Sequence, residues 1–228
     1  MAENYGAIEP HLMAVLSSRL ISLARQLTAA YQRSARSSVM ASARDLSTGI
    51  CSANGDVLAI PDADPSHMFA LSLTTKAILE FHSHDLREGD AFIHNSPYHG
   101  NTHMADHTIV VPVFYDGELM FFVTARGHQA DCGNSVPTTY HALAKDIYEE
   151  GALCFPAVRI QSDYKDVDDI IRMCQMRIRV PDVWYGDYLA AIGAARIGER
   201  SLKELVAKYG KDLIKAFCEQ WQEYGRRR

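Results

Sequence analysis

The chain has 228 residues, 47% of them hydrophobic and 22% charged, with a net charge of −5. These values suit an ordinary globular protein of one large or two small units and exclude disordered and collagen-like classes. An acidic balance leaves no electrostatic footprint for nucleic acid, and the basic run Arg226-Arg227-Arg228 reads as a solvated chain end.

The N-terminal stretch MAENYGAIEPHLMAVLSSRL lacks a basic segment followed by a clean apolar run, so no signal peptide is expected. No segment approaches the ~20 apolar residues of a membrane helix. Cys51, Cys132, Cys154, Cys174 and Cys218 are widely spaced and form no CxxC pair, which argues against a disulfide framework and a thiolate zinc site. Reduced cysteines in a cytoplasmic protein are the expectation.

Residues 10–36 predict a helix: Leu12, Val15, Leu16, Leu20, Leu23, Leu27 and Tyr31 recur at steps of three and four, with Pro10 near the start. Residues 44–60 predict a hairpin turning at Asn54-Gly55. A helix over 66–84 follows, with Leu71, Leu73, Ile78, Leu79 and Phe81 available for burial. Arg87–Asp90 is a turn, 91–93 a short strand and 94–106 a loop. Residues 108–115 and 118–125 then flank Asp116-Gly117, a pair suited to a two-residue hairpin turn. Both strands are apolar on both faces, so this hairpin should be covered on both sides. Pro112, which lacks a ladder donor, points to an edge or a bulge on the first of them. Residues 129–164 look irregular, and 165–228 look helical, broken near Pro181 and Gly210. The layout is α+β: a β-rich centre over 1–164 and a helical segment over 165–228 packed on it.

Six histidines, at 82, 84, 94, 99, 103 and 107, fall within 26 residues, with Asp106 and Asp131 close by. Imidazole with carboxylate suits zinc, manganese or iron. If Asp116-Gly117 is the turn, strict pairing sets Ala105 opposite His128, so one strand end and the loop feeding the other converge. Alternation puts His107 on the face of His128 and sends Asp106 to the other. Either His107 is the ligand or Asp106 lies in the loop, where alternation lapses; spacing leaves the two even. His82 and His84 read as helix-end residues, and His11 and His67 as surface residues. Cys132 near His128 offers a thiol nucleophile as a lesser alternative. There is no G-x-S-x-G, G-x-G-x-x-G or Walker-type loop, so the chain itself is not expected to bind ATP or a dinucleotide by those routes.

At these residues the sequence resembles the hydantoinase B family, which is similar to the C-terminal half of ATP-dependent 5-oxoprolinases and to a large subunit of acetone and acetophenone carboxylases. The matching stretches are ARDLSTGICSANGDVLA, LREGDAFIHNSPYHGNTHMADHTIVVPVF, ARGHQADCGN and VPDVWYGDYLAAIGAARIGERSLKELVAKYG. The resemblance implies that Asp45, His103, Asp106 and His128 are the metal-binding side chains, which favours Asp106 over His107. It implies a partner subunit of the hydantoinase A type that uses ATP to phosphorylate an amide or enol oxygen, within a hetero-oligomer. The leading implied function is the metal-bearing subunit of a cyclic-amide hydrolase; a ketone carboxylase subunit comes second and a non-catalytic, metal-stabilised scaffold third. His99 and Asp131 lie near enough in sequence to orient ligands or carry protons. The chain departs from the family in being less than half the usual length. It also carries Gly100-Asn101 before Thr102-His103, where the hydrolases more often show two glycines and the carboxylases look closer.

Overall fold

The computed structural model describes residues 8–61 and 65–227. Residues 1–7, part of the stretch read for a leader, and Arg228 of the basic run lie outside them. The α+β expectation holds. In chain order the elements are helix α1 (Pro10–Ser34), the short α2 (Ser38–Ala41), strands β1 (Leu46–Ser52) and β2 (Val57–Ala59), and α3 (Pro65–His82). Strand β3 (Ala91–His94) leads through a 3-10 turn at Pro97–His99 to β4 (Asp106–Tyr115) and β5 (Glu118–His128). A short α4 (Ile147–Glu150), β6 (Val158–Ser162) and β7 (Lys165–Asp166) precede α5 (Asp168–Arg177), α6 (Pro181–Tyr209) and α7 (Lys211–Arg226).

The strands form one antiparallel sheet in the order β2-β1-β5-β4-β3-β6-β7. Helices α1 and α6 cover one face and α3 the other. This explains why the β4–β5 hairpin is apolar on both sides: it is central, with a helix over each face. The larger core joins Leu16, Leu20 and Leu27 of α1 to Ile109, Val111, Phe121 and Val123 of the sheet and Leu202 and Val206 of α6. A smaller one under α3 joins Cys51, Ile78, Phe92, Val110 and Phe122. Each fully buried aliphatic or aromatic side chain contributes roughly 1.5–3 kcal/mol, so these two clusters hold the layers together.

Several sequence expectations are corrected. Val15 stands 42% exposed on α1, and Leu73 and Phe81 of α3 are 55% and 39% exposed; α3 buries Leu71 and Ile78 against the sheet instead. Pro112 is neither on an edge nor on a bulged strand. It lies in central β4, just past Val110, where the ladder to β3 ends and a missing donor matters least. The bulge is in β5. Val113 pairs with Phe121 and Phe114 with Leu119, so Met120 is the extra residue. The segment 129–164 is less irregular than its Gly and Pro content suggests, because β6 extends the sheet beside β3. The breaks at Pro181 and Gly210 are real, and the turn at Asp116-Gly117 has φ of 49° and 75°. Positive values at both positions are what a tight hairpin turn requires and what Asp-Gly supplies.

Candidate metal centre

Three segments deliver side chains to one end of the sheet. His103 and Asp106 close a single tight turn, in which the Asp106 N–H donates to the His103 carbonyl at 3.2 Å. A turn brings residues i and i+3 side by side, so the H-x-x-D spacing puts both side chains on one spot. Buried Met104 and Ala105 anchor that turn. His128 ends β5 directly opposite Asp106, the first residue of β4. Asp45 immediately precedes β1, and its carbonyl accepts from the His128 N–H at 3.1 Å. Arg44, with φ at 61°, turns the chain in the left-handed region just before it.

The β5 bulge settles which neighbour of His128 shares its face. One unpaired residue slips the register by one, and a one-residue slip moves every side chain to the opposite face. Asp106 therefore joins His128, although it lies in the strand and not in the loop. His107 points the other way, buried edge-on against Phe155 and accepting a hydrogen bond from the Trp184 indole at 3.2 Å.

The resulting group is tight. His103 Nε2 and His128 Nδ1 stand 3.3 and 3.1 Å from Asp106 Oδ1, and Asp45 Oδ2 is 3.6 Å from His128 Nδ1. Suitable donor atoms of His103, Asp106 and His128 all fall within 4.8 Å of one another, a group able to hold a metal ion. Asp106 is almost fully buried, whereas the side chains of His103 and Asp45 are each 39% exposed, so the group opens to solvent on one side. Burial alone would raise the Asp106 pKa. His128 and His67, then His103 and Thr102, outweigh it and hold this carboxyl well below the usual range, as an anion. Burial lowers the His103 imidazole against the opposing pull of Asp106.

Hydrogen bonding decides the state of His128. Thr139 Oγ1 donates to the Gln129 carbonyl at 2.7 Å, so at 2.6 Å from His128 Nε2 it accepts. With Nε2 engaged by Thr139, Nδ1 is the ring nitrogen turned toward the two carboxylate oxygens and toward any ion between them. A His–carboxylate set with one nitrogen committed to a second-sphere hydrogen bond is the pattern of a metal-ligating imidazole, and the residues fit the group.

His67 is the residue that sequence reasoning missed. It is not at the surface: it is 3% exposed, and its Nε2 faces Asp106 Oδ2 at 3.4 Å and Asp45 Oδ1 at 3.6 Å. The signal was there in the helical phase, since His67 falls in step with Leu71, Thr74 and Ile78 on the buried side of α3. His99 and Asp131 take other positions. His99 Nδ1 pairs with the Ser96 hydroxyl at 2.9 Å and its ring meets Phe81. Asp131 is saturated by Arg179, accepting from its backbone N–H at 2.6 Å and from Nη1 at 2.7 Å. Cys132 donates to the Asn134 and Thr139 oxygens, and burial pushes its thiol up to about 12, the opposite of an activated nucleophile.

Comparison with known proteins identifies the family. The family described as hydantoinase B/oxoprolinase matches residues 9–228. The chain is 32% identical to caprolactamase subunit beta from Pseudomonas jessenii, over 92% of its own length and 36% of that protein. It is 30% identical to 5-oxoprolinase from Dictyostelium discoideum, over 92% of its length and 16% of that protein. Among solved structures, the ATP-dependent caprolactamase from Pseudomonas jessenii superposes with a TM-score of 0.91 at 31% identity, covering 97% of this chain and 38% of that one. Acetone carboxylase shares the fold alone, with a TM-score of 0.90 at 22% identity over 96% of this chain and 29% of that one. The chain thus spans little more than a third of the length of the caprolactamase subunit and less of the others. A match over almost the whole sequence, joined to the fold and the convergent His–Asp group, makes the chain a member of the hydantoinase B/oxoprolinase family.

Proposed function

We propose that this chain forms the metal-bearing part of an ATP-dependent hydrolase of cyclic amides, with Asp45, His103, Asp106 and His128 as the ligands. The observation that carries the reading is the convergence of His103, Asp106 and His128 around one point, with Asp45 at its edge, in a protein about a third identical to a caprolactamase subunit. A divalent ion held there, zinc, manganese or iron by its donor set, would polarise a carbonyl or phosphoryl oxygen and lower the pKa of water.

The chain's own residues do the rest. Asp106 stays ionised because three histidines and a threonine surround it. Thr139 holds His128 in the tautomer that presents Nδ1. The exposed edges of His103 and Asp45 leave one side open for a substrate, and Tyr140, 48% exposed with its ring 5.6 Å from that of His103, borders the opening. Asp131, bound to Arg179, would serve by holding the segment after β5 in place, and His99, tied to Ser96, by steadying the loop before β4 that carries His103. Activation of the amide falls to an ATP-using partner subunit of the hydantoinase A type, a reading supported by the likeness to the beta subunit of a caprolactamase. No helix among the described residues is long and apolar enough to cross a membrane.

The test has two stages. Elemental mass spectrometry of the wild type, His103→Ala and His128→Ala should find about one equivalent of metal, lost in both variants. The wild type combined with an ATP-using partner should then open a lactam or hydantoin ring in step with ADP release, and the variants should not. A folded wild type that holds no metal would overturn the metal reading. Metal without ring opening, but with carboxylation of a ketone, would move the protein to the carboxylase branch.

A further inference from the structure

Among the described residues Arg126 is the bulkiest fully buried side chain, and its hydrogen bonds all go to neutral groups. Its Nε donates to Thr108 Oγ1 at 2.8 Å, and its Nη2 to Thr74 Oγ1 at 3.0 Å and Asn101 Oδ1 at 2.6 Å, while Nη1 meets no partner. A guanidinium buried with one nitrogen unpartnered and no direct ion pair is costly, so its placement calls for an explanation.

Asn101 supplies one. Its Oδ1 takes the Arg126 hydrogen bond and a longer one from Thr108 Oγ1 at 3.4 Å. Its Nδ2 donates to the carbonyls of His103 at 2.7 Å, Asp106 at 3.0 Å and Asn95 at 3.3 Å. One carboxamide thus grips both ends of the turn that carries His103 and Asp106. Arg126 sits two residues before His128 and on the same face of β5, opposite Thr108 of β4. The bond between Arg126 and Asn101 therefore joins the loop half of the centre to its strand half. Asparagine suits the position because it offers donors and an acceptor from one planar group. Arginine suits the other because its rigid fork reaches Thr108, Thr74 and Asn101 together.

We propose that Arg126 and Asn101 are the positioning residues of the metal centre, setting the separation between the His103–Asp106 turn and His128. The proposal rests on the reading of those three as metal ligands. Loss of either partner leaves every ligand in place and loosens the site by letting the turn shift against β5. Supporting groups of this kind typically change metal affinity by about 10–100-fold.

The experiment is cobalt(II) binding to the whole chain, followed by d–d absorption and by competition with a chromophoric chelator, on the wild type, Asn101→Ala, Asn101→Asp and Arg126→Lys. Asn101→Asp keeps an acceptor for Arg126 and so protects the fold, but it removes the donors to the His103 and Asp106 carbonyls. It decides the matter if Asn101→Ala does not fold. Circular dichroism and the melting temperature of the metal-free forms are read alongside. The expected result is cobalt affinity at least about tenfold weaker in each folded variant, with altered d–d bands that report a changed ligand geometry. Unchanged affinity and unchanged bands in the folded variants, with only the melting temperature lowered, would overturn the proposal, because a purely structural role moves stability alone. A wild type that takes up no cobalt would instead remove the metal reading, and the proposal with it.

Discussion

Asp106 and His128 are direct partners across β4 and β5, with Oδ1 and Nδ1 3.1 Å apart, because Met120 bulges out of the ladder between them and the hairpin turn. Without that one residue, His107 would occupy the face of His128 and Asp106 would point into the core beneath α6. The two neighbours should therefore behave as opposites. Asp106→Asn is expected to abolish metal retention on dialysis, whereas His107→Asn, altering a side chain on the other face, should keep it within about twofold. Elemental mass spectrometry after gel filtration distinguishes them, and loss of metal from the His107 variant alone would reinstate simple alternation.

His67 touches both acidic side chains of the centre from the opposite helix. Its Nε2 stands 3.4 Å from Asp106 Oδ2 and 3.6 Å from Asp45 Oδ1, and the other oxygen of each faces His128 Nδ1. His67→Ala should weaken metal binding by about tenfold, as expected for a group that orients ligands. His67→Gln, which retains an N–H donor, should recover part of that loss. Equal affinities for the wild type and both variants in chelator competition would make His67 a packing residue only.

Gly127 separates Arg126 from His128 on the α1 side of the sheet. A Cβ there would come within 2.4 Å of the Tyr31 hydroxyl oxygen and 2.7 Å of the Met40 side chain, both in the buried layer beneath. Gly127→Ala is expected to destabilise the fold by about 1–3 kcal/mol through overpacking. A lowered urea midpoint with an unchanged slope is the signature to look for.

His94 gives a pH dependence of definite sign. Burial first, then the nearby Arg126 charge, lower its pKa to about 4 from an ordinary 6.5. The unfolded chain therefore takes up the proton more readily than the folded one. The neutral ring's full stability is present above pH 6.5 and is lost as the pH falls toward 4. By pH 5 the loss from this residue is about 2 kcal/mol. Buried His107, lowered to about 3, acts in the same direction. Urea unfolding of the metal-free protein at pH 7.5 and 5 should show the decline. In His94→Asn, whose side-chain oxygen can still accept from the Ala157 N–H, the decline should be shallower by a similar amount. Equal slopes in the two proteins would show that His94 does not titrate in this range.

Local chemistry alone made much of this protein legible. The Asp-Gly turn and its flanking β-branched runs announce the central hairpin, since a tight turn with φ above zero at both positions admits few residues. Helical periodicity announces α1, and Pro181 and Gly210 mark the helix ends. H-x-x-D at a turn brings His103 beside Asp106 by connectivity. The tertiary structure decided what depends on distant pairing. Asp45 reaches the site only because β1 lies beside β5, where Leu46 pairs with Gly127, and nothing near Asp45 encodes that neighbour. The face shared by Asp106 and His128 depends on a bulge that no single residue type announces. His67 and Arg126 acquire their roles from the α3–sheet interface, where burial turns an ordinary helix histidine and a strand arginine into partners of the same centre. Residue pattern sets local geometry through short-range sterics and hydrogen bonding. A His–Asp group assembled from distant segments is set by the packing of layers, which only the folded chain brings together.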